Sequence, residues 1–235
     1  MIQINFLQDI PFQPDTDLLL KRVRLKPSSP DTADFLTLLK QSILTAQPKA
    51  VYRVCEIEER TEDTILIDGV IFCSRTLALN LSQAERVFVY VATCGLELDS
   101  LPISSGDFVS QFWLDAIKAE SLYSAIHYLH STLEARYALG KTSSMSPGSG
   151  DISIWPIEQQ QLLFTLLEDG PQQIGVKLTE SCLMLPNKTV SGFYFPTEKA
   201  IRTCQVCKRE NCPSRQAVFD LEAWEAVQQP SLHGL

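Results

Sequence analysis

The chain has 235 residues, 45% of them hydrophobic and 20% charged, with a formal net charge of −8. That length suits one large domain or two small ones, with enough apolar material for a real core. The acidic balance argues against a nucleic-acid partner, because counterion release needs clustered Lys and Arg, and no run approaches the roughly 20 apolar residues of a membrane span.

The first residues, Met1-Ile2-Gln3-Ile4-Asn5, carry neither a basic n-region nor an apolar run, so a cytoplasmic location is expected. In such a reducing compartment the seven cysteines read as thiols or metal ligands before disulfides. Prolines at 11, 14, 27 and 30 predict little regular structure in the first thirty residues beyond an edge strand at 2–6. The basic run Lys21-Arg22-Val23-Arg24-Leu25-Lys26 reads as a solvated face. Asp31-Thr32-Ala33-Asp34 predicts the cap of a helix with Phe35, Leu38, Leu39, Ile43 and Leu44 on one face, ended by Pro48.

Strands are predicted at 51–58 and 64–67, with Asp68-Gly69 turning the second into a third at 70–73, since Gly supplies the positive φ of a tight hairpin. Ser74 caps a short helix over 75–81. The run at 86–93, with Val87, Phe88, Val89, Tyr90 and Val91, reads as a strand buried on both faces. The longest helix is expected at 107–137, on a stripe of Phe108, Phe112, Leu114, Ile117, Leu122, Ile126, Leu129 and Leu133, with Gly140 as its stop. His127 and His130 lie one turn apart on it. With no carboxylate or cysteine partner evident, they read as surface or half-buried packing residues rather than a metal pair. Strands and helices alternate irregularly around a hairpin, which predicts an α+β fold on a mixed, largely antiparallel sheet, with one main domain over 1–200.

Residues 143–195 carry the chemistry. Ser146-Pro147-Gly148-Ser149-Gly150-Asp151 is either a plain connection or a loop that offers backbone N–H and C=O groups to a ligand, the missing Cβ atoms allowing close approach. It is neither a dinucleotide fingerprint nor a P-loop. A helix at 158–168 follows, then Lys177-Leu178-Thr179-Glu180-Ser181, Met184-Leu185-Pro186 and Val190-Ser191-Gly192-Phe193-Tyr194-Phe195.

In order and spacing these pieces resemble the activation (S-adenosylmethionine-binding) domain of cobalamin-dependent methionine synthase. That family carries an Arg-Pro-Ala-Pro-Gly-Tyr-Pro loop, a helix, then Lys-Leu-Thr-Glu-Ser, Met-Trp-Pro and Val-Ser-Gly-Trp-Tyr-Phe. The resemblance implies a domain that holds S-adenosylmethionine while a flavodoxin-type donor supplies one electron and the ligand a methyl group, restoring methylcobalamin on an inactivated partner. Pro147, Gly148, Glu180 and Tyr194 match the family's ligand positions, and Ser146 stands where it has Ala. Ser144 takes the position of the carboxylate-binding Arg, and Ser149 that of the loop Tyr. Serine cannot replace a guanidinium's charge, so another cation is expected if the ligand binds, with Lys188 and Lys141 the candidates. Glu180 is expected to bond the ligand's amino group or, failing that, to face solvent or pair with Lys177 or Lys188. No homocysteine, folate or cobalamin module is evident. A stand-alone activator of a separate corrinoid protein is therefore expected, accessory to methyl transfer.

Cys204-Gln205-Val206-Cys207 and Cys212 form a Cys-x2-Cys-x4-Cys run within a C-terminal segment 201–235. Three close thiolates suit zinc or an iron–sulfur cluster, with Cys182 the first candidate for a fourth ligand and Cys94 the second; plain thiols are the other reading. If the run held a metal, the alternative function is a redox or docking partner of a corrinoid protein that no longer binds S-adenosylmethionine. Pro213-Ser214-Arg215 predicts a final helix with Phe219, Leu221, Trp224 and Val227 as its apolar face and a frayed end at 228–235.

Overall fold

The computed structural model describes residues 3–212 and 215–228. In chain order it runs β1 (Ile4–Leu7), α1 (Thr16–Arg22), α2 (Thr32–Thr45), β2 (Lys49–Arg60), β3 (Thr64–Ile67), β4 (Val70–Cys73) and α3 (Arg75–Asn80). It continues with β5 (Arg86–Thr93), α4 (Phe108–Tyr137), β6 (Thr142–Met145), α5 (Gln160–Leu167) and α6 (Gly170–Gln173). The last elements are β7 (Lys177–Leu178), β8 (Met184–Leu185), β9 (Thr189–Pro196) and α7 (Leu221–Gln228).

The main sheet has the order β4-β3-β2-β5-β9-β6, with β1 also on β2. The fold is α+β, and every strand pair described is antiparallel. Long β2 shares its second edge between β1 and β3, so one strand carries two partners in tandem. Central β5 explains its own sequence. Val87, Val89 and Val91 join a core with Trp155, Leu163 and Leu167, while Phe88, Tyr90 and Ala92 face Ala125, Leu129 and Leu133 of α4. Alternate residues fill opposite faces, both covered, which is why the run is apolar throughout. A third cluster joins α1, α2 and the start of α4 through Leu19, Phe35, Leu38, Trp113 and Ile117. Val206, Cys207 and Val227 of the C-terminal segment pack into the first cluster.

Several expectations need correction. The proline-rich N-terminus contains α1, which fits between Pro14 and Pro27: Asp15 accepts from Leu18 N–H (3.0 Å), and Lys21 and Arg22 lie in the last turn. The α2 face is narrower than its apolar residues suggested, since Ile43 and Leu44 are 41% and 82% exposed. Phe108 and Phe112 of α4 are likewise exposed, and Trp113 is buried instead. A helix of 30 residues spans about 45 Å, whereas eight-residue β5 spans about 27 Å, so α4 is longer than the strand it covers, and its first turns pack with α1 and α2. That helix stops at Ala138 (φ 50), in the left-handed region, rather than at Gly140. Helix α7 starts at Leu221, with Phe219 before it and Leu221 exposed. Ile2, Pro213, Ser214 and 229–235 lie outside the described residues.

Candidate functional site

Ser143 and Ser144 are not loop but strand. β6 pairs with β9, Ser144 opposite Tyr194 and Met145 opposite Phe193. The chain leaves the sheet over Gly192, where an added Cβ would lie 2.3 Å from the Met145 carbonyl oxygen. It then turns through Ser146-Pro147-Gly148-Ser149, Gly148 at φ 74 and the Ser149 N–H donating to the Ser146 carbonyl (3.2 Å). Proline second and a positive-φ glycine third are what a type II turn demands. The Gly148 N–H donates to the Trp155 carbonyl (2.8 Å). These two amides are thus engaged within the loop rather than offered to a ligand, and Ser144 of β6 with Ser146 and Ser149 of the loop line a cleft of about 520 Å³.

The second wall is α4. The His130 ring stacks on Tyr194 at 4.0 Å and 17°, and meets Tyr90 edge-on at 5.9 Å. The Tyr194 hydroxyl bonds Glu134 and Thr142 (2.6 Å to the latter). Burial pushes Tyr194 up to about 12, and the Glu134 carboxylate adds to the rise. Burial likewise pushes Tyr90 up to about 12, against the pull of the nearby Ser146 and Ser144 hydroxyls. His130 is pushed down to about 4, mainly by burial, with His127 lowering it further and Glu134 opposing. Its imidazole is neutral at pH 7, and its Nε2 is buried with no hydrogen-bond partner among the described residues.

The third wall is the segment after β9. Asn80, buried at the end of α3, accepts from the Ile201 N–H (2.7 Å) and donates to the Ile201 carbonyl (2.9 Å) and the Met145 sulfur (3.0 Å). One side chain thereby pins residue 201 beside β6. The next residue, Arg202, lines the cleft with Thr203 and Cys204. Gly150 lets the segment close over the loop, since a Cβ there would sit 2.5 Å from Thr203 Cγ2.

Of the residues singled out in the sequence, Ser144, Ser146, Ser149 and Tyr194 line this cleft, and Pro147 and Gly148 shape its loop. Glu180 is exposed in the turn between β7 and β8, which form a separate two-stranded sheet. Lys188 precedes β9 at the end away from Tyr194; six extended residues correspond to roughly 20 Å. It pairs there with Asp115 (2.9 Å), and Lys141 pairs with Glu198 (3.1 Å). Neither lysine lines the cleft.

The cysteines do not converge. Among the described residues, no three His, Cys, Asp or Glu side chains are grouped to hold a metal. Cys182 is buried beneath α5, its sulfur accepting from Gln161 Nε2 (3.4 Å) and its carbonyl from Gln160 Nε2 (3.1 Å). Cys94 is buried at the end of β5, and burial pushes its thiol up to about 11. The loop of Cys204, Cys207 and Cys212 winds instead around Arg215. That guanidinium donates to the carbonyls of Cys204 (2.8 Å), Cys207 (2.9 Å), Arg209 (2.6 Å) and Ala217 (3.1 Å). Asn80, Glu134, Arg202 and Arg215 were missed, and His130 was read only as packing. No local spacing marks them, because each acts on a segment distant in sequence.

Fold and cleft together describe an α+β domain whose sheet edge, long helix and returning C-terminal segment enclose a hydroxyl-lined pocket. Residues 140–212 match the family model described as vitamin B12 dependent methionine synthase, activation domain. No curated protein matches the chain. Among solved structures the chain is similar to the MetH reactivation domain bound to AdoHcy, with a TM-score of 0.57 at 17% identity over 86% of this chain and 81% of that one. The family model thus matches the resemblance read from the central motifs, and the solved structure shows a similar fold. The matched segment contains β6, its loop, β9 and Arg202, and the upstream residues share the fold.

Proposed function

We propose that this chain is a reactivation module for a cobalamin-dependent methyltransferase of the methionine synthase kind, and that the cleft between β6, α4 and residues 200–204 takes S-adenosylmethionine or its demethylated product. The observation that carries the reading is the coincidence of two things. The loop and strand that match the activation-domain family are the elements that form the cleft, and a solved domain of similar fold is described as bound to AdoHcy.

The residues present fit such a ligand. A cleft of about 520 Å³ falls within the range that encloses ligands of this size. Its hydroxyls can bond ribose and amino groups. The unpartnered His130 Nε2 is a buried polar atom awaiting a partner. Tyr194, held by Glu134 and Thr142 and backed by His130, keeps a fixed ring and a protonated hydroxyl. When bound, S-adenosylmethionine supplies a sulfonium methyl group for the partner's reduced cobalt, the electron coming from an external donor of flavodoxin type. The chain's own residues orient the ligand and exclude water; nothing in the cleft is arranged as a nucleophile with a base.

The test uses a cobalamin-dependent methionine synthase deprived of its own activation domain and loaded with Co(II) cobalamin. With a chemical reductant, S-adenosylmethionine and this chain, the methylcobalamin absorbance should grow. It should not grow when the chain is omitted. Equal growth with and without the chain would sink the proposal.

A further inference from the structure

The family's carboxylate-binding Arg is replaced by Ser144, and the two lysines nearest in sequence are paired elsewhere. The cleft nevertheless holds a cation. Arg202 is the one Lys or Arg among the described residues that line it. It takes part in no ion pair with a described acidic side chain. Its backbone is fixed on both sides: Ile201 is clamped by Asn80, and the Arg202 N–H donates to Gln205 Oε1 (2.8 Å) while its carbonyl accepts from the Gln205 N–H (2.8 Å). The side chain is thus carried on a rigid turn across the cleft from Ser144.

We propose that Arg202 supplies the guanidinium for the ligand's carboxylate, so that the cleft selects nucleoside thioethers or sulfonium compounds bearing an amino-acid tail over those without one. The inference rests on the ligand reading above and adds its specificity determinant. A guanidinium offers two parallel N–H groups that match a carboxylate's two oxygens, which neither serine nor lysine can reproduce. Supplied from the far wall, it reaches the same carboxylate from the side opposite the missing residue. Asn80 is then a positioning residue, because its three contacts tie Ile201, the residue before Arg202, to Met145 of β6.

Calorimetry on the full chain separates the two claims, with S-adenosylhomocysteine and 5′-methylthioadenosine as probes. Both are nucleoside thioethers, and only the first has the carboxylate. The wild type should bind S-adenosylhomocysteine more tightly by roughly tenfold or more, the usual range for a hydrogen bond to a charged group. Arg202→Ala should bring S-adenosylhomocysteine down to the level of methylthioadenosine and leave methylthioadenosine unchanged, with Arg202→Lys between. Arg202 is exposed, so the variants should melt with the wild type. If the wild type binds S-adenosylhomocysteine and Arg202→Ala binds it equally well, or loses both probes alike, Arg202 is not the carboxylate partner and the ligand reading survives. If the wild type binds neither probe, both claims fall.

Discussion

Gly192 decides how closely β6 lies on β9. With its missing side chain the Met145 carbonyl sits where a Cβ would be, at 2.3 Å, and that contact is with backbone, which cannot swing away. Gly192→Ala should lift the start of the 146–150 loop, lower the melting temperature by several degrees, about 1–3 kcal/mol as for overpacking elsewhere, and abolish ligand binding. Unchanged melting and binding would contradict the close approach. His130 gives a second residue-scale test. Its folded value, about 4, lies below the ordinary 6.5. Between those pH values the unfolded chain takes up a proton that the folded chain refuses. The stability is therefore intact above pH 6.5 and is lost as pH falls toward 4. Melting curves of the wild type and His130→Gln, compared from about pH 7.5 to about 4.5, should show a shallower decline in the variant. Parallel declines would show that the imidazole is not excluded from protonation.

At the scale of elements, the turn-and-strand chemistry was readable wherever it was local. Asp68 and Gly69 (φ 43 and 77) make the predicted hairpin, and Ser74 caps α3 by accepting from the Leu77 N–H (3.0 Å). β5 declared itself by apolar residues on both alternations. What was not readable was anything set by a neighbouring element: Phe108 and Phe112 are exposed because the start of α4 meets α1 and α2 through Trp113 and Ile117 instead, and α1 rests on a cap that its flanking prolines obscured. The cysteine run, read as either metal ligands or plain thiols, forms no metal-holding group among the described residues. Its spacing suggested a metal, whereas the loop is organised by Arg215, which the spacing does not mention. Shared metal ligation would make Cys204, Cys207 and Cys212 equally costly to replace. In this structure Cys207 is buried and the other two are half-exposed. Cys204→Ser and Cys212→Ser should therefore melt near the wild type. Cys207→Ser should be destabilised, and Arg215→Ala too, by about 1–3 kcal/mol for its unpaired carbonyls. Three equal losses, accompanied by release of metal, would overturn that picture.

At the scale of the molecule, the match to the activation-domain family model covers residues 140–212, while much of the scaffold around that segment is built upstream. β2 and β5 form the centre of the sheet and α4 covers one face of it; α3 sends out Asn80; and the chain returns after β9 to line the cleft. The sequence motifs were legible because β6, its loop and β9 all lie within that one matched segment. The cleft's third wall was not, because Arg202 comes to line the same cleft as Ser144 only after folding. None of the described helices is long and apolar enough to cross a membrane. The central claim, that the cleft between β6, α4 and residues 200–204 is the ligand site, is tested most directly by a crystal structure of the full chain grown with S-adenosylhomocysteine. The account predicts density for the nucleoside beside Ser146 and Tyr194, with the carboxylate on Arg202. Ligand density against Glu180 and Lys188, with this cleft left to water, would contradict it.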